Sequence, residues 1–96
     1  MIKYLEKDFK EEIKDKVILV DFYADWCYPC KIQGEILNTV KDIDILKVNI
    51  EQHRELAEEY NVMSIPYLII FKNNKIIKKH VGLLNITELN EFIKTE

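Results

Sequence analysis

The sequence predicts an α/β protein: a central mixed β-sheet flanked by helices on both faces. Three observations carry this. Short, nearly unbroken apolar runs rich in β-formers, such as Val17 to Val20 and Tyr67 to Phe71, suit strands buried on both sides. Between them lie amphipathic stretches at helical spacing. The second half of the chain holds two successive strands and a final helix, so the sheet cannot be wholly parallel.

The elements follow in order. Leu5, Phe9 and Ile13, separated by Lys and Glu, predict a first amphipathic helix, with a possible short strand before it. Val17 to Val20, continued by Phe22 and Tyr23, predicts a buried strand. A second helix is expected from about Cys27 or Tyr28 to about Lys41, turning Ile32, Ile36, Leu37 and Val40 inward. Ile45, Leu46, Val48 and Ile50 predict another strand, and Leu56, Ala57 and Tyr60 a third helix. Asn61 then sits where a left-handed cap would end that helix. Tyr67 to Phe71 and Ile76 to Val81 read as strands joined at Asn73-Asn74, since paired asparagines supply the positive φ angles of a tight hairpin. Asn85 with Glu88 three residues on is a capping box, and Ile86, Leu89, Phe92 and Ile93 are expected to pack the inner side of the last helix.

At 96 residues the expectation is a single domain, 1–96. Hydrophobic residues make up 48% and charged residues 32%, the balance of a soluble globular chain. The net charge is −3 and Arg54 is the single arginine, which argues against a nucleic-acid partner. The N-terminus is broken too often by charge for a secretory signal, and no apolar run is long enough to span a membrane. Two cysteines in such a chain are more often redox-active or metal-bound than a structural staple.

Cys27-Tyr28-Pro29-Cys30 falls where a strand gives way to a helix. Free N–H groups and the positive end of the helix dipole stabilise a thiolate there. The i, i+3 spacing brings the two sulfurs within bonding reach. Pro29 costs a first helical turn little. Cys27, the outer sulfur, is the expected nucleophile, and Cys30 the resolving thiol. The rival readings are half of a zinc site, for which His53 and His80 lack suitable spacing, and two cysteines buried by chance. Asp21 interrupts an apolar strand, so it is either buried with a raised pKa and a role or turned outward at the strand end. Lys47 interrupts the next strand in the same way and either tunes Asp21 or extends to solvent. Trp26 and Tyr28 border the nucleophile. Lys72, Lys75, Lys78 and Lys79 read as solvated edge residues.

The stretch Val20-Asp21-Phe22-Tyr23-Ala24-Asp25-Trp26-Cys27-Tyr28-Pro29-Cys30-Lys31, with Val48-Asn49-Ile50, Ile65-Pro66 and Val81-Gly82, resembles the thioredoxin family over about Val17 to Gly82. The resemblance implies the thioredoxin fold and reduction of protein disulfides by dithiol–disulfide exchange. It implies no cofactor beyond the redox-active Cys27–Cys30 disulfide. Asp21 becomes the proton acceptor for Cys30, with Lys47 beside it. A cis Ile65–Pro66 bond is expected to face the cysteines, and Trp26, Tyr28, Pro29, Ile65, Pro66 and Gly82 are expected to form the substrate rim. Disulfide-bearing protein substrates and a thioredoxin-reductase-type electron donor complete what the resemblance implies. The N-terminus without a signal pattern leads to a cytoplasmic expectation, and a monomer is the default expectation.

Two departures stand out. Tyr28-Pro29 replaces the usual Gly-Pro between the cysteines, which leaves potential and partner choice open. The second helix has Gly34-Glu35 where a kinking proline is common, so any bend there is expected to be mild. Glutaredoxin-like or oxidase/isomerase activity on the same fold, or a binding subunit without catalysis, remain the alternatives.

Overall fold

A computed structural model describes residues 1–94. Its elements run β1 (Ile2–Tyr4), α1 (Phe9–Ile13), β2 (Val17–Tyr23), α2 (Tyr28–Leu37), β3 (Asp44–Asn49), α3 (Arg54–Glu59), β4 (Tyr67–Lys72), β5 (Lys75–Val81) and α4 (Ile86–Phe92). The strand order is β1-β3-β2-β4-β5. β1, β3 and β2 are parallel, whereas β4 runs antiparallel to both β2 and β5. The sheet is therefore mixed, as predicted.

Side chains alternate across a strand, so β2 feeds two cores. Ile18, Val20 and Phe22 pack with Leu46, Val48 and Phe71 against Phe9 and Ile13 of α1, with Leu56 of α3 alongside. Leu19 packs with Ile45, Leu68 and Ile70 against Leu37 of α2 and Leu89 of α4. Helices thus cover both faces. Asp21, two residues beyond Leu19, shares the α2 face.

The turn residues behave as their chemistry dictates. Asn61, Asn73 and Asn74 all take positive φ, and the two-residue Asn73-Asn74 turn joins β4 to β5. The capping box is complete: Asn85 Oδ1 accepts from Glu88 N at 2.8 Å, and Glu88 Oε1 accepts from Asn85 N at 3.0 Å.

Several expectations change. Leu5 does not belong to α1; its N–H donates to the Lys47 carbonyl at 2.9 Å, which extends the β1 edge, and the helix begins only after Asp8 caps it. α2 ends at Leu37 rather than near Lys41. Thr39 and Val40 there donate their N–H groups to Ile36 and Leu37, which tightens the chain into i, i+3 turns. The inward face of α2 is Cys30, Gln33 and Leu37; Ile32 and Ile36 are only half-buried. β3 stops at Asn49, before Ile50. Ile86, in the first turn of α4, is exposed. Lys78 is no free edge residue. Its ammonium donates to the Phe92 carbonyl at 3.0 Å and to that of Lys94, closing the C-terminal end of α4.

Candidate active site

Cys27 is the N-cap of α2, in an extended backbone conformation that opens the helix. Its Sγ accepts the Cys30 N–H at 3.2 Å, so the first sulfur already stands where an N-cap oxygen would. Tyr28 and Pro29 fill the first two helical positions, and the missing proline N–H costs nothing there. Cys27 and Cys30 are joined as a disulfide, their Cα atoms 5.2 Å apart. The pairing follows from the i, i+3 spacing on one helical turn. Among the described residues no three His, Cys, Asp or Glu side chains come together in a way that could hold a metal ion.

The two sulfurs do not differ in exposure as expected. Cys27 is 5% exposed and Cys30 3%, because both pack against Ala24 with Tyr23, Ile50 and Ile65 beside them. They differ instead in which side they face. Cys27 lines a groove shared with Trp26, Tyr28, Ile50, Met63 and Ile65. Cys30 lines another, shared with Tyr4, Tyr23, Gly34 and Lys47.

On the first side, the Ile65 carbonyl oxygen lies 3.9 Å from Cys27 Sγ, and the Ile65–Pro66 peptide bond is cis. Gly82 lies next to Pro66, donating its N–H to the Pro66 carbonyl at 2.8 Å. Its φ of +103° favours glycine, whereas a Cβ there would meet nothing within 4 Å. The conformation, and not crowding inside the chain, therefore calls for glycine. Trp26 and Tyr28 are both exposed. Of the rim residues named from the sequence, Trp26, Tyr28, Pro29 and Ile65 line the Cys27 groove, while Pro66 follows Ile65 in the chain and Gly82 is tied to Pro66.

On the second side, Asp21 is fully buried. The register sets Asp21 opposite Lys47, and the Lys47 ammonium stands 3.5 Å from Asp21 Oδ2. That is an ion-pair distance, and among the described residues no group other than Lys47 is within hydrogen-bonding reach of either Asp21 oxygen. Burial pushes the Asp21 carboxyl up from 3.8 to about 6, with the positive charge of Lys47 pulling partway back. Lys47 is also flanked by the rings of Tyr23 and Tyr4, 4.8 and 5.8 Å from their centroids. Gly34 leaves the space that the ammonium uses, since a Cβ there would stand 2.9 Å from Lys47 Nζ. Of the paired readings, the buried Asp21 and the inward Lys47 are the ones realised.

Sequence reasoning missed several neighbours. Glu51 accepts the Trp26 indole N–H at 2.9 Å. Asn49 holds that turn, its Oδ1 accepting the Glu51 N–H at 2.8 Å. Met63 is 91% exposed beside the Cys27 groove; a large apolar residue in the loop before Pro66 was the available signal. The histidines serve structure: His53 Nε2 lies 3.1 Å from the Leu5 carbonyl, and His80 packs on Phe92.

A disulfide that opens a helix, flanked by an apolar rim and a buried acid, defines a protein built for dithiol–disulfide exchange. Comparison with known proteins narrows this class. The thioredoxin family model matches residues 1–95, and the chain belongs to the thioredoxin family. It is 42% identical over 84 residues to the thioredoxin of Mycoplasmoides gallisepticum, covering 83% of this chain and 84% of that one. It is 37% identical over 92 residues to the thioredoxin of Chlamydia trachomatis serovar D, covering 92% and 90%. Among solved structures, the Malassezia sympodialis thioredoxin superposes with a TM-score of 0.86 at 27% identity, covering 97% of this chain and 88% of that one. A thioredoxin variant from Halobacterium salinarum gives 0.84 at 28%, covering 96% and 87%. The chain is accordingly a protein-disulfide oxidoreductase, and its redox group is its own Cys27–Cys30 disulfide. The family acts on disulfide-bearing substrates and is recycled by a reductase. No helix among the described residues is long and apolar enough to cross a membrane.

Proposed function

We propose that this protein works in the reducing direction, with Cys27 as nucleophile, Cys30 as resolving thiol and Asp21 as the acceptor of the Cys30 proton. The observation that carries the reading is the separation of the two sulfurs: Cys27 faces the Ile65 rim, and Cys30 faces the side of Lys47.

In the reduced protein the Cys27 thiolate is stabilised by the Cys30 N–H and the α2 N-terminus. It attacks a disulfide sulfur of the substrate. A Cys27–substrate bond forms, the substrate S–S bond breaks, and one substrate thiolate leaves and takes up a proton. Cys30 then gives its proton toward Asp21 and attacks Cys27 Sγ. The Cys27–Cys30 bond forms, the mixed disulfide breaks, and the second substrate thiol is released. Two electrons pass from the dithiol to the substrate. Lys47 keeps the Asp21 pKa low enough for the carboxylate to accept a proton near neutral pH. Trp26, Tyr28, Pro29, Ile65, Pro66 and Gly82 hold the substrate chain. A flavoprotein reductase of the thioredoxin-reductase type returns the electrons. The protein acts as a monomer in the cytoplasm, where a dithiol is kept reduced.

Two experiments test this. Cys27→Ser abolishes turnover, whereas Cys30→Ser accumulates substrate on Cys27, seen as a mass adduct that dithiothreitol removes. An adduct on Cys30 instead would reverse the assigned roles. Direction is read from a redox titration in a dithiol buffer: a potential more negative than about −230 mV fits a reductant, and one between about −180 and −120 mV belongs to isomerases and oxidases.

A further inference from the structure

Gln33 is the one polar residue on the buried face of α2, one turn beyond Cys30, and it is fully buried. A helix facing a sheet ordinarily places an aliphatic side chain there, because an unpaired amide in the core is costly. This amide is paired at both ends. Gln33 Nε2 donates to the Leu84 carbonyl at 3.1 Å, and Leu84 N–H donates to Gln33 Oε1 at 2.8 Å. Leu84 lies between the end of β5 at Val81 and the start of α4 at Ile86, where neither a strand nor a helix supplies backbone partners. The side chain of Gln33 acts as that missing partner.

The short segment Gly82–Leu84 is thus tied at both ends. Gly82 bonds Pro66, on the rim of the Cys27 groove, and Leu84 bonds α2, the helix that carries both cysteines. Leu83, between the two ties, is exposed. We propose that Gln33 is a positioning residue for substrate binding: its paired hydrogen bonds to Leu84 hold the Gly82–Leu84 lip in register with the active-site helix, so that an extended disulfide-bearing polypeptide finds a preformed edge. The inference rests on the reading of Gly82 as part of the substrate rim. Order in the lip lowers the entropy lost when a polypeptide docks, so Gln33 acts on affinity for long substrates and not on the exchange chemistry.

The test compares insulin, a polypeptide substrate, with hydroxyethyl disulfide, which has no polypeptide chain to lay along the lip, using dithiothreitol as electron source. Gln33→Met keeps the length of the side chain and removes both bonds. It is expected to raise KM for insulin at least fivefold with kcat nearly unchanged, and to alter the rate with hydroxyethyl disulfide less than twofold. The Leu84 amide, which donates to Gln33 in the parent protein, should exchange at least tenfold faster in the variant than in the parent. Equal losses on both substrates, or an unchanged KM for insulin, would overturn the proposal. If Gln33→Met does not fold, Gln33→Glu decides. A protonated Glu reproduces the donor and acceptor, so KM for insulin should lie near the parent value at pH 5 and rise several-fold at pH 8, and a flat ratio to the parent would count against it. Leu83→Asp separates the two levels of the argument. If it leaves KM for insulin unchanged, the lip itself is misassigned; if it raises KM while the Gln33 variants do not, the role of Gln33 alone fails.

Discussion

Replacing Asp21 with Asn should make the folded protein more stable at neutral pH while slowing the chemistry. The Asp21 carboxyl is fully buried with the Lys47 ammonium at 3.5 Å, and burial raises its pKa from 3.8 to about 6 despite that charge. Below 3.8 it is neutral in both folded and unfolded chains. Above 6 it is charged in both, and the folded state bears the cost of holding that charge out of water. A raised pKa therefore contributes stability at low pH that is lost as pH climbs between those values. The rise is about two pKa units at about 1.36 kcal/mol each, or about 3 kcal/mol in all. Asn does not titrate, so its constant differences from Asp cancel when two pH values are compared. Urea unfolding of the oxidised proteins should show Asp21→Asn gaining about 2 kcal/mol on the parent between pH 4 and pH 7.5, because at pH 4 the unfolded carboxyl is already more than half ionised. In the reduced protein, loss of the proton acceptor should slow release of the mixed disulfide roughly 10²-fold at pH 7. A stability difference that stays flat from pH 4 to pH 7.5 would falsify the buried-charge argument, whatever happened to the rate.

Other predictions address the surroundings. Gly34→Ala should add about 1 kcal/mol of helix propensity at pH 4, but less at pH 8, because the new Cβ displaces the Lys47 ammonium and lifts the Asp21 pKa above 6; pH-dependent unfolding measures both effects. Lys47→Met should raise the Asp21 pKa in the same direction and further, read from the pH profile of mixed-disulfide release, since the counter-charge at 3.5 Å is removed outright. Glu51→Ala should free the Trp26 indole and change its emission, with KM for a protein disulfide rising and the rate on a small disulfide preserved. Lys78→Met should cost about 1 kcal/mol by uncapping α4, detectable as a lower urea midpoint with activity intact.

The sequence made the strands and the redox motif plain for one physical reason: they depend on local pattern. Val17 to Val20 and Tyr67 to Phe71 can be buried on both faces only inside a covered sheet, and a Cys-x-x-Cys at a strand-to-helix junction carries its chemistry in its own spacing. Helix boundaries were less legible. Leu5 fits the period of α1 equally well, yet a bond to the Lys47 carbonyl, 42 positions away in the chain, draws it into the sheet edge. The face of α2 is legible in part: Leu37 and Val40 are buried as expected and Ile36 packs against the same core. But Ile32 outranks Gln33 in hydrophobicity, while only the folded chain shows that Leu84 presents both a donor and an acceptor to that amide. The difference in exposure expected between the cysteines assumed that the nucleophile stands clear of the surface. Ala24 and Ile65 bury it instead, leaving a groove as its access.

That groove bears on how the two chemical steps stay separate. In the proposed mechanism a polypeptide substrate docks on the Ile65 side for attack by Cys27, and resolution by Cys30 needs a proton acceptor. If both were served from one side, a bound substrate would cover the groups that must next accept the proton. Here α2 stands between them. The groove beside Lys47 lies away from the rim formed by Trp26, Tyr28 and Ile65, so docking leaves it open. Substitutions on the rim should therefore act on KM, and substitutions at Asp21, Lys47 or Gly34 on the rate and pH profile of the second step. A double variant such as Met63→Ala with Lys47→Met should combine the two effects additively within about 0.5 kcal/mol, and strong coupling between them would show that the two sides communicate through the helix.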